Sequence, residues 1–328
     1  MKAYKPIPNK KSKTIPSKNL PLTIYCLYSL SDGRLAIGGD GKLVIYNMKT
    51  YKIDIQIETQ YHCRVKYILQ LNDGNLFYYG HDHSSEGPWE DDDYYNYLIE
   101  LSENQYSDKT DIFPKNSKYN ILKQNSDNII FGGINYENKI EEYYSSNATG
   151  CKRIEKLVKH DENDENNELK GKYSIITSLN IDFTDFALLK NDKMAFLIKN
   201  KLEFYETKTF KIIEQSVKFK NKPTILSVFD ENFLLIGIEN KVEIYDYKNF
   251  KSIKSIFIPY EIKVIYVNQN KVYIGCEYDI ANEYKIDSNG NYNQTYNIPI
   301  PDKLLSDITV IKDGRLITCA SNKIQIWS

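Results

Sequence analysis

The chain is poor in Trp and Met, with 2 and 3 of them among 328 residues, against 28 Tyr and 13 Phe. Aromatic-rich and alanine-poor composition favours strands over helices. No charge sign dominates. With 43 basic and 44 acidic side chains the net charge is −1, which excludes the surplus of Lys and Arg that general nucleic-acid binding requires. No apolar run approaches the roughly 18–20 residues of a membrane helix, so no membrane partner is expected. The five cysteines are scattered and form no C-x-x-C pair, which fits reduced thiols rather than a disulfide framework. The first 31 residues hold six lysines and no acid, yet no apolar stretch follows them and prolines interrupt them. A secretory signal is therefore not expected, and the expected location is cytoplasmic, with the nucleus as the alternative.

Catalytic signatures are missing as well. There is no G-x-S-x-G, phosphate-cradling loop, G-x-G-x-x-G or H-E-x-x-H. Gly38-Gly39-Asp40-Gly41 opens no helix and reads as a hairpin turn. His62 and Cys63 are adjacent, whereas a Cys–His catalytic pair must be opposed in space. His81-x-His83 has no flanking Cys, and the nearby carboxylates lack calcium-loop spacing, so solvated loop histidines are expected there. The expectation is a non-enzyme with no cofactor and no metal.

What is present is a repeat. A polar turn feeding an apolar strand recurs with anchors at Leu35, Leu76, Ile129, Met194, Phe233, Val272 and Leu316, spaced by 41, 53, 65, 39, 39 and 44. After each anchor comes a second element. Five copies read Gly or Asn, Lys, then an aliphatic residue, with a large aromatic four residues after the Lys: Tyr46, Tyr143, Tyr205, Tyr245 and Trp327. The two looser copies are Asn96-Tyr97-Leu98 leading to Leu101 and Asp279-Ile280-Ala281 leading to Tyr284. The Gly or Asn tolerates the positive φ of a tight hairpin, and the alternation after it has the period of two of a strand. A third element, such as Lys49-Thr50-Tyr51-Lys52, turns into an outer strand.

Four short strands per repeat, lettered a to d, in seven repeats of about 40 residues describe a β-propeller. The expected fold is thus all-β, a seven-bladed propeller of four-stranded antiparallel blades over residues 21–328. A pair of β-sandwich domains is the alternative. The chain stops on strand c of the seventh repeat. The lysine-rich segment 1–20, near Lys10–Pro16, is therefore expected to supply the closing fourth strand.

Two stretches exceed the repeat. From Leu76 to Tyr97 the chain takes 21 residues where compact repeats take 7 or 8, adding an acidic stretch at 81–93. From Tyr143 to Met194 it takes 51 where most take 27–32, adding a second at 157–172. Read as a b–c loop and a d–a connection, both would emerge on one face and create a local negative field. Trp89, Glu90, Asp91, Asp92 and Asp93 of the first, with Asp161, Glu162, Asp164 and Glu165 of the second, are the candidate partner-binding residues. Trp89 would be the buried anchor and a basic surface or peptide the complement. The alternative is that both stretches are simply solvated.

The pairs that end strand c are Tyr46-Asn47, Tyr205-Glu206, Tyr245-Asp246 and Trp327-Ser328. They stand where the WD-repeat family places Trp-Asp, and over about residues 20–328 the chain resembles a diverged member of that family. The family's Gly-His dipeptide before strand a is missing. Gly80-His81 is the one such pair and follows strand b instead, so the family's Asp–His–Ser–Trp network transfers to no position. The resemblance implies a platform for protein–protein contacts, acting as a scaffold or as a subunit of an assembly, without catalysis. A substrate-receptor subunit of a ubiquitin ligase is one alternative, weakened because the N-terminal segment holds no adaptor-binding helix. A propeller hydrolase or sugar-binding protein is another. Nothing in the sequence addresses self-association.

Overall fold

A computed structural model describes residues 9–16, 19–59, 63–72, 74–83, 92–99, 110–111, 117–124, 129–135, 151–159, 173–181, 183–276, 280–300 and 305–328, with backbone alone between 81 and 180. Every regular element in them is a strand, and none of the described residues forms a helix able to cross a membrane. A short β1 (Ser12–Thr14) comes first. The first sheet holds β2 (Ile24–Ser29), β3 (Leu35–Gly39), β4 (Lys42–Asn47) and β5 (Lys52–Glu58). The second holds β6 (Arg64–Gln70), β7 (Leu76–His83), β8 (Asp92–Ile99) and β9 (Thr110–Asp111). The third holds β10 (Ser117–Gln124), β11 (Ile129–Asn135), β12 (Cys151–Lys159) and β13 (Tyr173–Asn180). The fourth holds β14 (Asp185–Leu188), β15 (Lys193–Ile198), β16 (Lys201–Glu206) and β17 (Ile212–Lys218). The fifth holds β18 (Ile225–Val228), β19 (Phe233–Ile238), β20 (Lys241–Asp246) and β21 (Lys251–Phe257). The sixth holds β22 (Ile262–Asn268), β23 (Lys271–Cys276), β24 (Ile280–Ile286) and β25 (Tyr292–Pro299). The last contains β26 (Leu305–Val310), β27 (Leu316–Ala320) and β28 (Lys323–Trp327), with β1 as its fourth strand. Among the described residues there are thus seven four-stranded antiparallel sheets. The strands fall into two compact units, one with the first three sheets and one with the other four plus β1.

All seven anchors lie on the second strand of their sheets. In four sheets the anchor stands directly opposite the repeat's aromatic: Leu35 with Tyr46, Met194 with Tyr205, Val272 with Tyr284, and Leu316 with Trp327. The other three sheets differ from these four. Leu234 rather than Phe233 faces Tyr245. Ile99 rather than Leu101 faces Leu76, which puts Tyr95 at the register of Lys42. The third repeat differs most, because its strand c is β12 and not Lys139–Tyr143. Strand β12 sets Ile154 and Leu157 opposite Gly132 and Ile129. The expected strand would carry Glu141 and Glu142 in succession, one carboxylate on each side of a sheet.

Three of the strands that carry the anchors, β3, β19 and β27, are buried from end to end. A strand covered on both faces needs a sheet on each side. Neighbouring sheets meet where strand b has a glycine. A methyl group on Gly38 would lie 2.7 Å from Val65 Cγ1 of the second sheet, and one on Gly275 would lie 2.2 Å from Leu305 Cδ2 of the last. Hydrogen bonds join successive first strands. Cys26 Sγ donates to the Val65 carbonyl at 3.4 Å, Leu226 N to Asp185 Oδ2 at 2.8 Å, and Ser227 Oγ to the Ile265 carbonyl at 3.1 Å. Cys26, Cys63, Cys276 and Cys319 are buried, and none of these four forms a disulfide.

The third repeat element is a side-chain-capped turn. Asn47 Oδ1 accepts from the backbone N–H groups of Lys49 and Thr50, and Asp246 Oδ1 from those of Lys248 and Asn249. The turn then ends on an aromatic in the left-handed region, Tyr51 at φ 58° and Phe250 at φ 55°. That conformation costs about 1–2 kcal/mol for an L-residue. At Phe250 an edge-on ring contact with Phe204 of the preceding sheet, centroids 5.5 Å apart, offsets it.

The N-terminal segment lies across two sheets of one unit. Asn9 bridges Asn297 of β25 in parallel, and Lys10 N donates to the Asn297 carbonyl at 3.0 Å. Ser12, Lys13 and Thr14 then pair with Trp327, Ile326 and Gln325, inside the Lys10–Pro16 stretch expected to supply a strand. Ile15 N donates to the Ile324 carbonyl at 2.9 Å, and its side chain is buried. Between the two ladders Lys10 turns inward. Its Nζ is 2.6 Å from Oε2 of Glu283, whose side chain is fully buried. Lys271 Nζ lies 3.4 Å from Oε1, and Thr295 Oγ1 donates to Oε1 at 2.8 Å. The ammonium of Lys10 also sits 5.1 Å from the Tyr296 ring centroid and 5.8 Å from that of Tyr273.

Burial alone would raise the Glu283 carboxyl, but hydrogen bonds from Lys10 and Thr295 and the charges of Lys10 and Lys271 hold it below the usual carboxylate range. A depressed folded-state pKa stabilises the fold above the unfolded value, near 4.3, and the effect is lost as pH falls through the folded value. Glu283→Gln should therefore cost stability that is fully expressed above about pH 5 and shrinks on acidification below about pH 4. Lys10→Met, which leaves the carboxylate without its nearest cation, should cost about 2–4 kcal/mol near neutral pH. Urea unfolding of both variants from pH 3 to 7 checks this; a Glu283→Gln deficit independent of pH would contradict it.

Candidate functional site

The β7–β8 hairpin departs from the repeat by its length. In the compact sheets the b–c ladder ends four residues past the anchor position, at Gly39–Lys42, Ile198–Lys201 and Ala320–Lys323. Gly80 with Tyr95 is the equivalent pair, but here the ladder runs on through His81–Tyr94, Asp82–Asp93 and His83–Asp92. Three further residues at 3.3 Å each carry this arm about 10 Å past the ends of the compact hairpins. Strand β6 follows it only to Arg64, which pairs with His81.

The root of the arm is fixed to the first sheet. Asp40, in the b–c turn of that sheet, forms an antiparallel bridge with Arg64. Asp40 Oδ1 accepts from the Tyr25 hydroxyl at 2.9 Å and lies 3.7 Å from Arg64 Nε. Burial, then the hydrogen bond and charge of Asp40, push the Tyr25 pKa up and keep the phenol protonated as a donor. Gly41 N donates to the Cys63 carbonyl at 3.0 Å, and Thr59 Oγ1 to the same oxygen at 3.2 Å. Gly80 has no room for a side chain, since a methyl there would stand 2.0 Å from Cys63 Sγ.

Of the residues expected to bind a partner, Asp92 and Asp93 open strand β8, opposite His83 and Asp82. Trp89, Glu90 and Asp91 lie outside the described residues, as do Asp161, Glu162, Asp164 and Glu165. The common face expected for the two acidic stretches is corrected. With β12 as strand c, residues 160–172 join c to d rather than d to the next a. In an antiparallel sheet the c–d turn and the b–c turn lie at opposite ends, so the two stretches share no edge. Sequence reasoning missed Tyr25, Asp40 and Arg64. Each is an ordinary surface residue type, and Asp40 sits in what reads as a plain turn. Among the described residues no group of three His, Cys, Asp or Glu side chains is placed to hold a metal ion.

No protein-family model matches the chain, and no curated protein is similar to it in sequence. Solved structures are similar in fold. A chain of the Mitotic Checkpoint Complex matches with a TM-score of 0.68 at 12% identity, covering 100% of this chain and 95% of its own. The WD40 β-propeller domain of Doa1 matches with a TM-score of 0.68 at 11% identity, covering 98% and 97%. Streptogramin B lyase matches with a TM-score of 0.65 at 13% identity, covering 98% of both. The fold is that of a β-propeller. Identities this low carry the fold and nothing of the activity.

The close approach at the arm's root gives a test. Gly80→Ala should lower stability by about 1–3 kcal/mol through overpacking against Cys63. Cys63→Ala in the same chain should restore part of it. Additive losses in the double-mutant cycle would show that the two residues do not meet.

Proposed function

We propose that the chain is a non-catalytic protein–protein interaction platform whose docking element is the β7–β8 arm. Its frame is a seven-bladed propeller of the WD-repeat kind, with seven sheets as blades and β1 closing the ring. The observation that carries this reading is the extended ladder from Gly80 to His83. A loop that served only as solubilising filler would need no such ladder, and this one rises from a root held by Asp40, Gly41 and Cys63. Asp82 and Asp93 stand opposite one another in the ladder, so the two acidic positions fall on the same side of the arm, and Glu90 and Asp91 lie next to it in sequence. The fitting partner is a protein with a basic surface or peptide. The WD40 domain of Doa1 and the chain of the Mitotic Checkpoint Complex are similar in fold, which supports a platform role.

Catalysis is the second reading, because streptogramin B lyase shares the fold to a similar degree. The expected location is the cytoplasm. The test of docking is capture from a library of Lys/Arg-rich peptides by the full chain. Asp82→Asn with Asp93→Asn should weaken capture about 3–10-fold, as expected for two screened charges, and added salt should weaken it in the unaltered chain. Capture equal in the two proteins and insensitive to salt would remove the arm as the docking element.

A further inference from the structure

We propose that the end of the fourth sheet that carries its b–c turn is a docking edge for an acidic peptide segment of a partner protein. Lys199, Lys201, Lys218, Lys220 and Lys222 hold the segment, and Phe257 of the fifth sheet is its apolar contact. The inference is independent of the β7–β8 arm, since it uses none of the arm's residues and takes a partner of the opposite charge.

The repeat itself supplies the comparison. In the first sheet the lysine that opens strand c, Lys42, stands opposite Glu58, with Nζ and Oε1 3.8 Å apart. In the fourth sheet the equivalent Lys201 stands opposite Lys218. Like charges directly opposed across a ladder cost stability, and here more are gathered around them. Lys199 sits in the b–c turn beside Lys201, at φ 53°. Phe219 and Pro223 are buried, so the chain leaving strand d exposes Lys218, Lys220 and Lys222 at alternate positions. Turn and connection are tied together: Phe219 N donates to the Asn200 carbonyl at 2.7 Å, and Asn200 Nδ2 to the Phe219 carbonyl at 3.3 Å. All five lysines are exposed. Lys201 has Glu203 Oε1 at 3.8 Å, and no described residue forms an ion pair with the other four.

In the fifth sheet the same register sets Phe257 opposite Lys241, and Phe257 is 72% exposed. Asn221 Nδ2 donates to Glu239 Oε2 at 2.9 Å, which joins the basic connection to the b–c turn of the fifth sheet. Ile258 N donates to the Asn240 carbonyl of that turn at 2.8 Å and so fixes Phe257 at the same end. Positions i and i+2 of an extended peptide lie about 6–7 Å apart on one side. Alternate carboxylates can therefore follow the alternate lysines, and an apolar residue beyond them can reach Phe257. Lysine ammoniums are point charges on flexible stems, which suits carboxylates spread along a chain. An anionic membrane fits less well, because Glu239 and Glu261 lie at the same end as Phe257 and would meet the same headgroups.

The test is fluorescence-anisotropy titration of the full chain with a short labelled peptide that alternates Glu with Ser and ends in Leu-Phe, against the same peptide with Gln in place of Glu. Saturable binding of the acidic peptide alone is expected, falling as salt is added. Lys218→Glu with Lys220→Glu should weaken it about 10–100-fold and Phe257→Ser about threefold, whereas Lys49→Glu with Lys52→Glu, in the c–d turn of the first sheet, should leave it unchanged. Lys218→Glu alone should raise the thermal midpoint by about 1–2 °C, since it restores the Lys–Glu pair of the first sheet, and this readout also shows that the variant folds. No saturable binding, equal affinity for the Gln peptide, binding unaltered by the double reversal, or a lowered midpoint would overturn the edge. So would binding to phosphatidylserine vesicles, to a thymidine oligonucleotide or to a second copy of the chain in place of the peptide.

Discussion

A strand buried on both faces cannot exist at the surface of a lone sheet, and this constraint shapes the molecule. Strands β3, β19 and β27 are covered along their whole length. Each large side chain so buried contributes roughly 1.5–3 kcal/mol, a gain available only if another sheet lies on either side. The approach of those sheets is set by small residues and short polar links. Val65 packs where a side chain on Gly38 would be, Leu305 where one on Gly275 would be, and hydrogen bonds such as Leu226 N to Asp185 hold successive first strands side by side.

The last sheet meets the same demand by borrowing. Its three C-terminal strands are completed by β1, which enters only after Asn9 and Lys10 have bonded to the sheet before it. The Lys10–Glu283 pair between the two ladders is costly to desolvate, and a well-packed apolar pair of the same volume would often be as stable. Its geometry offers selectivity instead. A shift that brought Asn9 to the place of Lys10 would bury Glu283 without its nearest cation, so the ion pair disfavours that register.

Much of this was legible in the sequence. The anchors, the Lys-to-aromatic strands and the borrowed strand follow from patterns that the ladders impose directly: an apolar run where both faces are covered, alternation where one end is wet, and a positive-φ turn between. The third repeat was misread because Asn138-Lys139-Ile140 fits the local pattern, whereas the ladder selects for apolar residues opposite Ile129 and Gly132, a non-local condition that β12 meets. The Phe233 offset has a similar origin, since Phe233 and Leu234 are both buried and composition cannot tell which one faces Tyr245. The arm was visible only as surplus length. Whether surplus residues extend a ladder or leave it depends on pairing partners, and this also decided that His83 stands opposite Asp92. Glu283 gave no signal, because a charged residue at an alternating position reads as solvent-facing until a lysine from 273 residues away covers it.

The sheets, the hairpin and the added strand form one account: the β7–β8 hairpin is bonded at its root to the first sheet, and the N-terminal segment completes the last sheet as its fourth strand. The most direct measurement is native-state amide hydrogen exchange at Lys10 and Ile15, whose N–H groups donate to Asn297 and Ile324. Exchange limited by global unfolding, as slow as that of the buried strand β27, is predicted. Exchange near the rate of an unstructured peptide, with β27 still protected, would contradict the account.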